Sequence, residues 1–155
     1  MFKTSMLSIL LSATFALPMT ANATEVEFLN TDKNRAMGFP FSEAVRVGDL
    51  LFLSGQVGNI PGDPAVVPGG IEAETRQTME NIKTVLERYG SSMDDVVKCT
   101  VFIADMAEWP AMNAVYKTYF TGDPPARSAL GANGLALGAK VEIECIGTVG
   151  AERVN

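Results

Sequence analysis

The chain contains no histidine. No Ser-His-Asp set can therefore be assembled for nucleophilic catalysis. Only two cysteines are present, Cys99 and Cys145, and they are far apart in sequence. Without imidazole to join them, neither a zinc nor a copper site is expected. Each cysteine lies in an apolar run that reads as a strand, so two buried free thiols acting as small hydrophobes are expected. A bridge would require those two strands to lie close with suitable geometry. There is no phosphate loop, and neither glycine-rich stretch matches a nucleotide fingerprint. Positive charge is scarce too, with 12 Lys and Arg against 18 Asp and Glu and a net charge of −6. An acidic chain without a basic cluster is a poor partner for nucleic acid or anionic lipid. Beyond residue 23 no apolar run is long enough to cross a membrane, and no repeat or low-complexity segment occurs.

The first 23 residues read as a secretory signal. Lys3 supplies the positive start, Met6 to Leu17 an apolar stretch too short to span a bilayer, and Ala21-Asn22-Ala23 a cleavage site. The expected domains are a signal over 1–23 and one globular unit over 24–155, with the periplasm as destination. Lys3 is the only charged side chain in that leader, so the mature chain carries −7. About 130 residues remain, enough for a single real core.

Periodicity orders the rest. Ala44–Val47 and Leu50–Ser54 flank Gly48-Asp49, a two-residue hairpin signal. A loop rich in Gly and Pro runs from Gly55 to Gly70. Met79, Ile82, Leu86 and Tyr89 recur at helical spacing within Ile71–Tyr89, and Gly90 follows as a stop. Val96–Ala104 reads as a strand with Val97, Cys99, Val101 and Ile103 on one face. Asp105 and Glu108 have capping-box spacing before a helix carrying Met112, Tyr116 and Phe120. Strands at about Ser128–Gly131 and Lys140–Val149 close the chain. The order strand, strand, helix, strand, helix, strand, strand predicts an α+β layer with both helices on one sheet face. The other face, left apolar, would be buried in a symmetric oligomer.

Two charged positions stand out on this scheme. Arg127 lies on an apolar segment, Pro124-Pro125-Ala126-Arg127-Ser128-Ala129-Leu130, and is either a surface arginine at a strand start or an anion ligand through its planar guanidinium. Glu142 and Glu144 alternate with Val141, Ile143 and Cys145, so both point to one strand face. Period alone favours an exposed acidic face; at a subunit boundary one of them could act as a general acid or base. Ser54-Gly55-Gln56 leaves a strand at a glycine, where a ligand or backbone can approach closely.

These segments together resemble the RidA/YjgF family of imine and enamine deaminases. Ser54-Gly55-Gln56, Asn81, Val101 to Asp105, Asn113-Ala114-Val115-Tyr116, Pro125 to Ser128 and Val141 to Glu144 fall in the family's order and spacing, over about Phe39 to Val149. The resemblance implies a single chorismate-mutase-like domain of the bacillus type, a mixed sheet with two helices on one face, in a homotrimer with clefts between subunits. It implies that Arg127 holds the carboxylate of a 2-imino acid and that Glu142 positions the attacking water. Phe41, Ser54, Gly55, Asn113 and Ala129 would contribute to substrate binding, with no metal and no cofactor. Two positions depart from the family pattern. Ala129 stands where members carry Cys, and Phe41 where they carry Tyr, which points to a bulkier, more apolar substrate. The competing expectations are a non-catalytic binder of small carboxylic metabolites and a holdase-like chaperone. RNA cleavage, also linked to the family, fits the acidic charge least.

Overall fold

The structure is a computed structural model and describes residues 24–152. The proposed signal over 1–23 lies outside the described residues.

Gly48, at φ +57°, closes the expected hairpin: β2 (Ala44–Val47) and β3 (Leu50–Leu53) pair antiparallel with Val47 opposite Leu50. Three short elements escape the periodicity. They are β1 (Val26–Leu29), paired with β2, the six-residue α1 (Asp32–Met37), and the two-residue β4 (Gln56–Val57), paired with β7 (Val141–Thr148). α1 starts where the Thr31 hydroxyl accepts from the Asn34 N–H, and stops at Gly38 in the left-handed region.

The long helix α2 spans Gly70–Arg88 and buries Ile71, Met79, Ile82, Val85 and Leu86. Tyr89, expected on its apolar face, caps the helix and still packs against the core. The Tyr89 hydroxyl donates to Glu43 at 2.6 Å, and Arg88 donates to the other oxygen of the same carboxylate. Burial first, and the Glu43 carboxylate second, push the Tyr89 phenol up to about 12.

β5 spans Val96–Ile103, but Val97 is exposed and Val96 buried. A bulge between Val96 and Lys98 resets the alternation, so only Cys99, Val101 and Ile103 keep the expected face. The capping box is half realised. Asp105 accepts from the Ala107 N–H at 2.9 Å, whereas Glu108 pairs with the Lys140 ammonium. α3 (Trp109–Tyr116) ends in a 3₁₀ turn over Lys117–Tyr119, and Phe120 still packs on Tyr116 although its backbone is extended.

Strand order is β1-β2-β3-β7-β5-β6, with β6 spanning Ala126–Gly131. β6 runs parallel to β5 and the other pairings are antiparallel, giving the mixed α+β sheet the sequence predicts. α2 and α3 pack on one another, and their buried residues share one core with Leu51, Leu53, Val101, Val141 and Ile143.

Two expectations change. Cys99 and Cys145 are joined in a disulfide rather than being free thiols. They sit directly opposite one another on adjacent antiparallel strands, a pairing across 46 residues that periodicity cannot register. The sheet's second face is also less uniformly apolar than expected. Phe28, Val45, Phe52 and Ile146 form one apolar row across β1, β2, β3 and β7. Over β5, β6 and β7 the same face mixes Phe102 and Leu130 with Lys98, Thr100, Ser128 and Glu144, the Lys98 ammonium donating to the Ser128 hydroxyl at 2.8 Å.

Candidate active site

Arg127 lies on β6, which among the described residues is an edge strand paired with β5 alone. It is in register with the buried Cys99 and leans toward the helix layer. Its Nη1 donates to the Asn113 Oδ1 at 2.7 Å. Its guanidinium carbon stands 4.7 Å from the centre of the Tyr116 ring, within cation–π range. Asn113 and Tyr116 are three residues apart on α3, so one helix face presents both. Neither partner is charged, and among the described residues no carboxylate lies within 4.0 Å of Arg127. The arginine is oriented but not neutralised. It opens on a cavity of about 370 Å³ lined also by Lys117, Phe120 and Pro125. Ala129 follows two residues later on the same side of β6 and is half-buried.

Tyr116 is the functional residue that periodicity misses. It reads as one more apolar position, yet its ring carries the guanidinium, and only the Asn-x-x-Tyr spacing hints at this. The residue is 4% exposed, and its hydroxyl has no hydrogen-bond partner among the described residues. Burial pushes the phenol up to about 12, and the Arg127 charge pulls the other way.

Glu142 occupies a different place. On β7 it alternates with the buried Val141 and Ile143, and it pairs with Phe102 and Val57. It therefore projects from the face opposite the helices. Its carboxylate lies against Gly55, where any Cβ would overlap it, so the close approach expected at this glycine is an approach by Glu142. Burial, then the negative charge of Glu144, holds the Glu142 carboxyl above the ordinary glutamate range. Ser54 turns away from the carboxylate, and its hydroxyl donates to the Ser42 carbonyl at 2.6 Å. Phe41 is exposed on the same loop and stacks on Phe39.

The structure thus gathers the sequence candidates into two groups. Arg127, Asn113 and Ala129 form one; Glu142, Gly55, Ser54 and the Phe41 loop form the other. A single chain does not bring Arg127 and Glu142 together. Among the described residues no group of three or more Cys, Asp or Glu could hold a metal ion.

A family model described as Endoribonuclease L-PSP matches residues 33–149. The 2-iminobutanoate/2-iminopropanoate deaminase of Mus musculus is 41% identical over 122 residues, 79% of this chain and 90% of its own. The crystal structure of RidA from an Antarctic Psychrobacter superposes with a TM-score of 0.72 at 35% identity, covering 79% of this chain and 99% of that one. That of E. coli TdcF with bound serine gives 0.67 at 32% identity, covering 71% and 88%.

Proposed function

The chain belongs to the Endoribonuclease L-PSP family, that of RidA and YjgF, and from this membership we propose that it hydrolyses 2-imino acids to 2-keto acids and ammonia without a cofactor. One observation carries the reading: Arg127 is held by the neutral Asn113 and Tyr116, and among the described residues no carboxylate neutralises it. A guanidinium prepared in this way fits a substrate carboxylate bidentately.

Because Arg127 and Glu142 leave opposite faces of the sheet, the reaction site belongs between copies of the chain, in a homotrimer of chorismate-mutase-like subunits. There Arg127 of one copy fixes the imino acid. Glu142 of the next takes a proton from water, whose oxygen forms a bond to the imine carbon. Glu142 passes that proton to the nitrogen of the resulting carbinolamine; the hydroxyl then gives up its own proton, the C=O bond forms as the C–N bond breaks, and ammonia leaves. The sum is imino acid plus water giving keto acid plus ammonia. Position and a poised carboxylate supply the catalysis. The raised Glu142 pKa makes that carboxylate a better base once ionised.

Export to the periplasm is part of the proposal. It is supported by the leader over 1–23 and by a buried disulfide, which suits an oxidising compartment. A second reading, a non-catalytic binder of small carboxylates, is favoured by one fact: a single chain orients Arg127 for a carboxylate but keeps Glu142 on the other face of the sheet. The test generates 2-iminobutanoate in situ with an amino-acid oxidase and follows its loss. Wild type should accelerate that loss, and Arg127→Ala should be slower by at least about 100-fold. Equal rates for the two proteins would sink the deaminase, and thermal stabilisation by 2-oxobutanoate without turnover would favour the binder.

A further inference from the structure

We infer that Lys117 is a specificity-determining residue: with Arg127 it fits the site to 2-imino dicarboxylates, whose side chain ends in a second carboxylate. The inference rests on the deaminase reading above and names the substrate class of that same site. Arg127 and Lys117 line one cavity of about 370 Å³, a volume within the ~300–1,000 Å³ usual for ligand sites. No Asp or Glu lines it. Among the described residues no carboxylate lies within 4.0 Å of either cation, although Asp123 lies in the adjoining loop. Two like charges that open on one space repel each other, and a dianion between them removes that cost. A monocarboxylate held by Arg127 would leave Lys117 without a counter-charge.

Local structure puts the lysine there. Asn113, Tyr116 and Lys117 follow one another at i, i+3 and i+4 along α3 and its C-cap, so one helix face presents all three. The first two hold Arg127. Lys117 is the next side chain on the face that orients the guanidinium, and it is exposed where Arg127 is half-buried. That difference divides the work between them. The oriented planar guanidinium suits the carboxylate beside the reacting carbon, which it grips bidentately, while the ammonium acts as a point charge on a flexible stem and suits the distal one. Tyr116 and Phe120, with ring centroids 5.0 Å apart, and Pro125 supply apolar lining, beside which charges are screened less than in open water. Neither Phe41 nor Ala129, the positions behind the expectation of a more apolar substrate, lines this cavity.

The experiment measures the ratio of kcat/KM for the glutamate-derived imine over 2-iminobutanoate, each generated in situ by an amino-acid oxidase. A ratio does not depend on the folded fraction of a variant. The same proteins are titrated with 2-oxoglutarate and 2-oxobutanoate, which read the site without turnover. In wild type both ratios should favour the dicarboxylate, and both should shrink as salt rises. Lys117→Gln should lower them by about fivefold, and Lys117→Arg should keep most of the preference. A wild-type preference for the monocarboxylates, or ratios unchanged in Lys117→Gln, would overturn the inference while leaving the deaminase intact. Turnover of neither imine would overturn the deaminase reading, and the keto-acid ratio would then decide the role of Lys117. Binding of neither keto acid would overturn the inference as well. A change of oligomeric state in Lys117→Gln by light scattering would assign the lysine to a subunit contact and also overturn it.

Discussion

The two sides of the β5–β7 region handle charge in opposite ways. On the helix side, Arg127 is given an amide oxygen and an aromatic face, partners that fix its direction without cancelling its charge. On the open side, Glu142 is pressed against a glycine backbone and beside a second carboxylate, surroundings that resist its charge. A structural ion pair would have brought a cation and an anion together. Keeping them apart in one chain leaves each with an unmet demand, which a substrate carboxylate can satisfy on one side and a polarised water on the other. The difference shows that a site can be prepared in two incomplete parts.

The disulfide offers the broadest way to disturb this arrangement. β5 lies between the strand of Arg127 and that of Glu142, and Cys99–Cys145 ties it to the latter. Closing a loop of 46 residues is worth roughly 4 kcal/mol in the chain-entropy account. The C99A/C145A variant should lose stability of that order in urea melts, and wild type melted with reductant should behave alike. Next in size, Arg127→Lys keeps the charge but loses the planar fork, so kcat/KM should fall about 100-fold, nearly as far as in Arg127→Ala. A lysine variant with near wild-type activity would reduce Arg127 to a point charge.

Gly55→Ala attacks the other side. Its new methyl group would displace the Glu142 carboxylate, so kcat should drop by about tenfold or more while the affinity for 2-oxobutanoate stays within about twofold. A parallel loss of binding would mean that the two halves are not separable.

Smaller still is the pH effect. Burial raises the folded-state pKa of Glu142, so the folded chain holds its proton more tightly than the unfolded one. Stability should therefore fall as pH rises from the ordinary glutamate value through the raised one. Glu142→Gln should remove that fall. Over the same window wild-type activity should rise, because the base must be ionised. Identical pH profiles of melting for the two proteins would show that Glu142 is not desolvated.

Much of this was legible in residue order, and the gaps have physical causes. The Gly48-Asp49 hairpin and α2 could be read because a tight turn and a 3.6-residue period are local. β1, α1 and β4 could not, since stretches of four, six and two residues barely sample a period. Val97 was misplaced because a bulge reverses strand parity without a sequence mark. The disulfide and the Arg127–Tyr116 stacking depend on which strand lies beside which, a long-range outcome. The residue pattern singles out Arg127 and Glu142, but the sheet faces they occupy depend on the strand register.

The central claim is that Arg127 of one copy works with Glu142 of another. Arg127→Ala and Glu142→Gln chains, each inactive alone, can be co-expressed with different tags and purified as hybrids. Every hybrid trimer carries one wild-type pair among its three clefts, so the purified hybrids should regain about a third of wild-type deaminase activity. Hybrids no more active than either variant alone would contradict the account.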